Sequence, residues 1–429
     1  MNRKIWKALG IAVCMLALAA PRAMAETIIH MVTADTDFAK VVKNINASDV
    51  DAENVIELCA DITLTGNHTL KRSTTIKSKD EDRKISINGS NAGITVTGER
   101  TVLNLGAKGY DKKLTIEGDG DARIQAAFVT VSEGATANMY ENVTLQNRKS
   151  TGNACIVIMG SKSVFNMRGG VTENCSRVAI ADSGATFHMF DGEIKDCKVY
   201  GNGVILVYDN SKFIMEGGTI SECEALTDNG GGLYADNSTV TISGGTISGC
   251  KGVWGGGLYA ENSSTIEISD GTISGCTVGA GGGLFVDRST VRISGGIISG
   301  CITSDTGNGG GLYANHSTIK ITGGRIENNK AAHGGGVALV GKTTFEKPIT
   351  NWTVIGNEAY ATGGVGGGIK LENGSMDVSA GSNRIYNNTA GGQGADIFLL
   401  NDSSTIKLPN AANMNATYRD SGIEIDGWY

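Results

Sequence analysis

The sequence is poor in proline and aromatic residues, and beyond its first residues it has no long hydrophobic run. Only three of the 429 residues are proline, against 62 glycines. Glycine without proline excludes a collagen triple helix and argues against a disordered linker. Scarce proline is typical of stacked strands, because proline removes a donor from the hydrogen-bond ladder. After residue 25 no segment approaches about 18 apolar residues, so we expect no transmembrane segment in the mature chain.

Basic residues are also fewer than acidic residues. The chain has 37 Lys and Arg residues against 44 Asp and Glu residues, which gives a net charge of −7. Four of the basic residues and none of the acidic ones lie in the first 25 residues, so the remainder carries −11. This balance argues against a nucleic-acid partner and against binding to an anionic membrane surface.

The first 25 residues have the pattern of a secretory signal peptide. A basic segment ends at Lys7, a short apolar segment covers residues 11–20, and Ala23-Met24-Ala25 gives a small-x-small cleavage pattern. The sequence therefore predicts an exported protein with an extracellular, cell-surface or periplasmic location.

A repeat of about 25 residues is the dominant feature of the remaining chain. Residues 229–250 read NGGGLYADNSTVTISGGTISGC, and residues 255–276 read GGGLYAENSSTIEISDGTISGC. Related copies cover residues 281–301 and 309–329, and looser copies lie on both sides. A unit this short cannot bury an apolar face alone, so the units are expected to stack on one another.

Each unit contains three short β-type segments, which in one unit are residues 233–235, 239–243 and 246–248. Alternation points Val240 and Ile242 inward. No ten-residue amphipathic segment recurs, which excludes a solenoid of alternating helices and strands. Triple glycines predict corners that need positive φ or a close approach between coils. They recur at Gly230–Gly232, Gly255–Gly257, Gly281–Gly283, Gly309–Gly311, Gly334–Gly336 and Gly366–Gly368.

These features predict an all-β protein, a right-handed parallel β-helix of about 12–13 coils that occupies residues 55–408. Residues 26–54 are expected to form an N-terminal cap with a short amphipathic helix over residues 37–45, and residues 409–429 a C-terminal cap. The pattern GGxIxxN, here mostly GGxIxxC, resembles the repeats of polymorphic outer-membrane proteins and autotransporter passengers. More broadly, roughly residues 85–408 resemble the pectate-lyase-like β-helix superfamily.

One position of the unit is occupied by either cysteine or asparagine, and we interpret this position as a buried turn. Asparagine can bond its own copy one coil away, whereas cysteine acts as a small apolar filler. A metal–thiolate array would need four ligands that converge on one point, which a linear stack does not provide. Free thiols and disulfides between adjacent coils both stay open, and Cys59 and Cys155 are placed outside this ladder. The ladder consists of Asn147, Cys175, Cys197, Cys223, Cys250, Cys276, Cys301, Asn329, Asn357 and Asn388.

Two further ladders are expected to face outward. Aromatic residues can pack against sugar faces, or they can simply stabilise the sheet by stacking. Carboxylates at coil spacing can bind Ca²⁺, although turn chemistry alone also explains Asp and Asn at these positions. We expect no cofactor other than a Ca²⁺ ion that this acidic ladder could bind. The aromatic ladder is Tyr234, Tyr259, Phe285 and Tyr313, and the acidic ladder is Asp209, Asp236, Glu261 and Asp287.

The resemblance implies that catalysis on polysaccharides has to be considered, because the superfamily includes pectate lyases and polygalacturonases. The NTD, DD and GHG motifs of polygalacturonases are absent, and Asp119 and Asp121 near Arg123 read more simply as a turn. No catalytic residue is assigned. We therefore favour an adhesive, glycan-contacting or structural protein, with carbohydrate or host and cell-surface molecules as partners. The alternative is a polysaccharide lyase or glycoside hydrolase.

Overall fold

The computed structural model describes residues 26–118, 126–149, 154–373, 375–378, 382–400, 404–407, 415–419 and 422–426. The predicted signal peptide, the acidic cluster Asp119–Arg123 and most of the predicted C-terminal cap lie outside these residues.

Strands of successive coils pair in parallel and build three faces of one solenoid, which we name sheets 1, 2 and 3. Sheet 1 takes one strand from each coil, and its thirteen parallel strands mark thirteen coils in the described part of the chain. At about 4.8 Å per coil the rod is roughly 60 Å long. The parallel strands of sheet 1 are Asn67–Leu70, Gly93–Thr97, Val129–Ser132, Ile156–Met159, Ala179–Asp182, Ile205–Tyr208, Leu233–Asp236, Leu258–Glu261, Leu284–Asp287, Leu312–Asn315, Val337–Val340, Ile369–Glu372 and Ile397–Leu400.

Sheet 2 receives two strands from most coils. Its described strands are Thr27–Val32, Glu53–Leu58, Ile62–Leu64, Thr74–Ser78, Arg83–Ile87, Val102–Leu105, Leu114–Gly118, Thr136–Met139, Val143–Gln146, Val164–Met167, Val171–Glu173, Thr186–Met189, Glu193–Lys195, Lys212–Met215, Thr219–Ser221, Thr239–Ser248, Thr265–Ser274, Thr290–Ile293, Ile297–Ser299, Thr318–Ile321, Arg325–Glu327, Thr344–Phe345, Thr353–Ile355, Ser375–Asp377, Arg384–Tyr386 and Thr405–Lys407.

Sheet 3 consists of two-residue strands that follow the cysteine and asparagine positions. Single parallel bridges from Glu224 to Lys251 and from Lys251 to Thr277 join its two parts. The strands are Lys198–Val199, Glu224–Ala225, Thr277–Val278, Ile302–Thr303, Lys330–Ala331, Glu358–Ala359 and Thr389–Ala390. These strands could not be predicted from the sequence, because two residues are too few to show a period.

The core lies inside the solenoid and consists of alternate residues of every sheet. Leu233 and Ala235 are fully buried, and Leu258 and Ala260 repeat them one coil later in exact register. Val240 and Ile242 point inward as predicted. In this coil the second and third predicted segments are one strand, Thr239–Ser248, with a register shift after Ile242. The double glycine at 244–245 therefore bends the strand and does not end it.

One short helix, Phe38–Ala47, covers the N-terminal end of the described chain. Asp37 caps it by accepting hydrogen bonds from the N–H groups of Ala39 and Lys40 at 3.1 and 3.3 Å. The predicted apolar stripe of this helix is buried. Asn46 bonds the carbonyl of Thr69 and the N–H of Lys71, both at 2.8 Å. The helix therefore occupies the free edge of sheet 1 beside its first strand.

Both ends of the parallel stack depart from the plain repeat. Strand Thr27–Val32 lies before the helix and pairs in parallel with Glu53–Leu58, so stacking begins inside the segment predicted as a cap. At the other end Gly422–Asp426 pairs antiparallel with Ile397–Leu400 and with Asn415–Arg419. This hairpin occupies the last edge of sheet 1.

Candidate functional site

The buried ladder at the turn before sheet 3 has two chemically different halves. In the asparagine half, the side-chain oxygen of Asn357 accepts from the N–H of Asn329 at 2.9 Å and from its amide group at 3.0 Å. In the same way, the side-chain oxygen of Asn388 accepts from the N–H and from the amide group of Asn357, at 2.9 Å each. The buried carboxylate of Asp396 then accepts from Asn388 at 2.8 Å and ends the ladder. The predicted amide ladder is thus present.

In the cysteine half the side chains are free thiols that donate to carbonyls two residues upstream, with Sγ–O distances such as 3.4 Å for Cys250 to Ser248. Cys155, predicted to lie outside the ladder, is buried next to Cys175 and extends it. Burial, together with the neighbouring Cys175, raises the pKa of the Cys155 thiol well above its usual range. In its protonated form, the buried Cys155 thiol is a poor nucleophile and a poor metal ligand.

The ladder prediction was wrong by one residue at its N-terminal end. Gln146 pairs with Glu173, which places Arg148 opposite Cys175 and leaves Asn147 at the preceding turn residue. Asn147 has φ of 59°, like Asn174 at 52°. Asparagine is favoured at such left-handed positions, so the sequence alone did not separate a turn residue from a ladder residue.

The predicted aromatic ladder exists on the outer face of sheet 1, but it is not exposed. The rings of Tyr234 and Tyr259 stack with centroids 5.4 Å apart, those of Tyr259 and Phe285 lie at 5.0 Å, and those of Phe285 and Tyr313 at 4.6 Å. Tyr234, Tyr259 and Phe285 keep at most 8% of their surface accessible. These three rings form a small second apolar cluster outside the main core and are not accessible to a sugar, whereas Tyr313 at the end of the row is partly buried.

The acidic ladder is shorter than predicted. Tyr208 pairs with Asp236, so Asp209 lies in the following turn, with φ of 53°. This turn is one residue longer than the turn after Asp236, which is why matching the DNS tripeptides gave the wrong register.

The remaining carboxylates of this ladder already have protein partners. Glu261 accepts from the hydroxyls of Tyr234 and Tyr259. Asp236 accepts from Asn262 at 3.0 Å, and Asp287 is bound by Arg288 at 2.8 Å and Asn315 at 2.9 Å. Within the described ranges no group of three or more metal-ligating side chains converges. A calcium ion here would have to compete with these bonds, and the Ca²⁺ site stays a prediction.

The stability of this cluster should fall at alkaline pH. Burial and the Glu261 carboxylate raise the pKa values of Tyr234 and Tyr259 far above that of a free tyrosine. The unfolded chain then loses these protons from about pH 10 upward while the folded chain keeps them, so the free energy of unfolding decreases as pH rises. We expect urea titrations between pH 8 and 11 to show a steeper decrease for the wild type than for the Tyr234→Phe/Tyr259→Phe variant. Parallel decreases would contradict this assignment.

Among the described residues, Trp254 is an exposed aromatic residue beside the buried row, and it was not predicted from the sequence. Its indole stacks on the buried ring of Phe285, with centroids 5.6 Å apart and planes 13° from parallel, and 43% of its surface remains accessible. The signal in the sequence was the Trp placed directly before a triple glycine.

Trp254 ends a row of exposed apolar side chains that follows the short strands of three successive coils. Tyr200, Leu226 and Val253 are 67%, 39% and 42% exposed. They lie two residues after Lys198, Glu224 and Lys251, which pair with one another along sheet 3. We name these four residues, Tyr200, Leu226, Val253 and Trp254, the apolar strip. Exposed apolar rows of this kind mark interaction surfaces more often than single exposed residues do.

A fourth ladder, on the outer face of sheet 2, was not predicted from the sequence. The amide of Asn138 donates to Asn104 at 2.9 Å, and the amide of Asn166 donates to Asn138 at 2.9 Å. All three asparagines precede Leu or Met at the end of a strand, a repeated signal in the sequence. Because these amides bond one another, we interpret this ladder as structural.

Comparison with known proteins agrees with this architecture. Residues 178–359 match the family described as right handed beta helix region. Together with the parallel stacking of thirteen coils in the described residues, the match shows the fold of this chain, a right-handed parallel β-helix. Its fold is that of the pectate-lyase-like β-helices, as the repeats had suggested. The narrower resemblance to autotransporter passengers is not tested and stays a prediction.

The search of curated proteins and the search of solved structures found no match. Among the described residues, no helix is long and apolar enough to cross a bilayer.

Proposed function

We propose that this protein is an exported β-helical rod that binds carbohydrate through the apolar strip around Trp254. The observation that carries the proposal is the half-exposed indole, which is held flat on the buried aromatic row. Sugar rings present an apolar C–H face that stacks on such an indole. The buried row fixes the orientation of Trp254 before a ligand arrives, which lowers the entropic cost of binding.

Polar groups beside the strip support a sugar ligand over a purely apolar one. Thr227 and Asp228 are exposed between Leu226 and Trp254. The carbonyl of Asp228 accepts from the N–H of Val253 at 2.9 Å, which holds this loop against the strip. Hydroxyl and carboxylate groups next to an aromatic face can bond the hydroxyl groups of a sugar.

The proposal is tested by affinity electrophoresis of the mature chain on a panel of plant, bacterial and host polysaccharides. We expect retention by at least one of them. The Trp254→Ala variant should bind about tenfold more weakly or worse, because aromatic anchors dominate binding energy. Trp254→Phe should retain most of the binding.

Met159→Ala is the matched control, because Met159 is 42% exposed on the outer face of sheet 1 without being aromatic. This variant should bind like the wild type. Equal retention of Trp254→Ala and wild type, with unchanged circular dichroism, would contradict the role of the strip.

A polysaccharide lyase or hydrolase remains the alternative, and one observation favours it. Glu267, Arg292, Lys320 and Glu346 form a mixed-charge network across four coils of sheet 2, with ion-pair distances of 3.7 to 3.9 Å. Their side chains are 39% to 49% exposed, as is typical of surface ion pairs, which stabilise little. Release of reducing or unsaturated ends from the same panel, abolished in Glu267→Gln or Glu346→Gln, would establish the enzyme.

A further inference from the structure

A groove of about 560 Å³ opens on the outer face of sheet 1 near the C-terminal end of the rod. Lys370 in this groove lies four coils beyond Leu258–Glu261, the strand of sheet 1 that follows Trp254. At about 4.8 Å per coil this separation is roughly 19 Å, so the groove is separate from the apolar strip. Its volume is in the range of small-molecule sites, which is roughly 300–1,000 Å³. It is lined by His333, Gly363, Val365, Lys370, Gly392, Gln393, Phe398 and Leu400.

The groove exists because the column of stacked aromatic side chains on the outer face of sheet 1 ends at Tyr313. Ala338 follows Tyr313 in register, and Lys370 and then Phe398 follow Ala338. The small side chain of Ala338 ends the aromatic stack. Val365, Phe398 and Leu400 then provide apolar walls around Lys370.

Lys370 is an unusual residue for a groove floor, because only 12% of its side chain is exposed. Its ammonium group lies 3.2 Å from the carboxylate of Glu372 and 3.4 Å from the side-chain oxygen of Asn308. A lysine ammonium carries three donors, so these two partners leave capacity for one more acceptor. A desolvated ammonium binds an acceptor more strongly than an exposed one does.

His333 provides a second donor on the same groove. The N–H of Val365 donates to its Nδ1 at 3.3 Å, so in the neutral ring the proton resides on Nε2. Burial and the neighbouring Lys370 charge lower the pKa of His333, which keeps the ring neutral at physiological pH. The groove thus combines apolar walls with two donors and one cation, Lys370, whose charge is balanced by Glu372.

We propose that this groove binds a small monocarboxylate with a flat apolar body, its carboxylate shared between Lys370 and His333. The apolar walls accept the body of such a ligand. The two donors match the two oxygens of a carboxylate. Because Glu372 already balances the charge of Lys370, the groove has no net positive charge to offset the charge of a ligand. A dianion would therefore be repelled by Glu372 more strongly than a monoanion.

The test is isothermal titration of the mature chain with 2-naphthoate and with 2-naphthamide, its neutral isostere. We expect 2-naphthoate to bind and to shift the NMR signals of the His333 ring, and 2-naphthamide to bind about tenfold more weakly or worse. Lys370→Met should lose at least this factor for 2-naphthoate and little for 2-naphthamide. Val365→Trp, which fills the groove, should abolish binding of both.

Lys342→Met serves as the matched control, since Lys342 is exposed outside the groove. The proposal is overturned if the wild type does not bind 2-naphthoate at millimolar concentration, if the acid and the amide bind equally, or if Lys370→Met binds like Lys342→Met. Its failure leaves retention of polysaccharides by Trp254 unaffected, so the two proposals are tested separately.

Discussion

Replacing Asn357 by alanine should lower the free energy of unfolding by about 3–5 kcal/mol. The Asn357 side chain accepts from both nitrogens of Asn329 and donates to Asn388 and to the carbonyl of Ile326. All of these groups are buried inside the rod, where no water replaces a lost partner. The alanine variant leaves the N–H of Asn329 without an acceptor, and such orphaned groups cost about 1–3 kcal/mol each. Urea titration followed by circular dichroism measures the change.

Two matched variants separate the amide bonds from simple packing. Cys250→Ala occupies the equivalent position in the cysteine half and should cost only about 1 kcal/mol, since a buried thiol makes weak hydrogen bonds. Asn357→Cys should fall between the two, because a thiol at this position can donate weakly to a carbonyl of the preceding coil, as Cys250 does to Ile220 at 3.9 Å. If Cys250→Ala were as costly as Asn357→Ala, packing and not the amide ladder would hold this turn.

The fold was largely predictable from the repeat, because each copy has the same alternation of inward apolar and outward polar residues. Leu233, Val240 and Ile242 are buried as alternation required, and the helix at Phe38–Ala47 buries its predicted stripe. Two features escaped prediction for physical reasons. The strands of sheet 3 are too short to alternate, and strand Thr27–Val32 has no repeat partner with a similar sequence.

The outward residues were much harder to predict than the core. Tyr234 and Tyr259 were expected to be accessible, but stacking within the row and contact with the glycine corners bury them. Alternation assigns a side chain to a face of the sheet and says nothing of what covers that face. The register at Asp209 failed because this turn is one residue longer than the equivalent turn of the next coil, and both turns contain Asn. The register at Asn147 failed because asparagine suits both the left-handed turn position and the ladder position.

The groove around Lys370 has no single motif in the sequence. It brings together residues from three coils, and its shape depends on the small Ala338 that interrupts the aromatic column. In the sequence repeat, Lys370 is one of many variable residues at outward positions. Only the stacked structure shows that its ammonium is nearly buried beside His333.

Gly231→Ala should be strongly destabilising, with a loss of about 3 kcal/mol or more. A Cβ atom at Gly231 would lie 2.2 Å from the carbonyl oxygen and 2.5 Å from the carbonyl carbon of Lys251 in the next coil. That backbone cannot yield, because Lys251 donates to Cys223 and accepts from Ala225, both at 2.8 Å. The two coils would have to separate, and the hydrogen bonds on both sides of the corner would lengthen.

A graded glycine series tests this cause against backbone strain. Gly160 has φ of 86° and nothing within 4 Å of an added Cβ, so Gly160→Ala measures the strain of positive φ alone, about 1 kcal/mol. Gly66 has neither restriction, and Gly66→Ala should be neutral or should stabilise slightly, because alanine reduces the entropy of the unfolded chain. The expected order of destabilisation is therefore Gly231→Ala, then Gly160→Ala, then Gly66→Ala. If Gly231→Ala proved no worse than Gly160→Ala, close packing between coils would not be the reason for the second glycine of each triple, and the repeat would have to be explained by turn geometry alone.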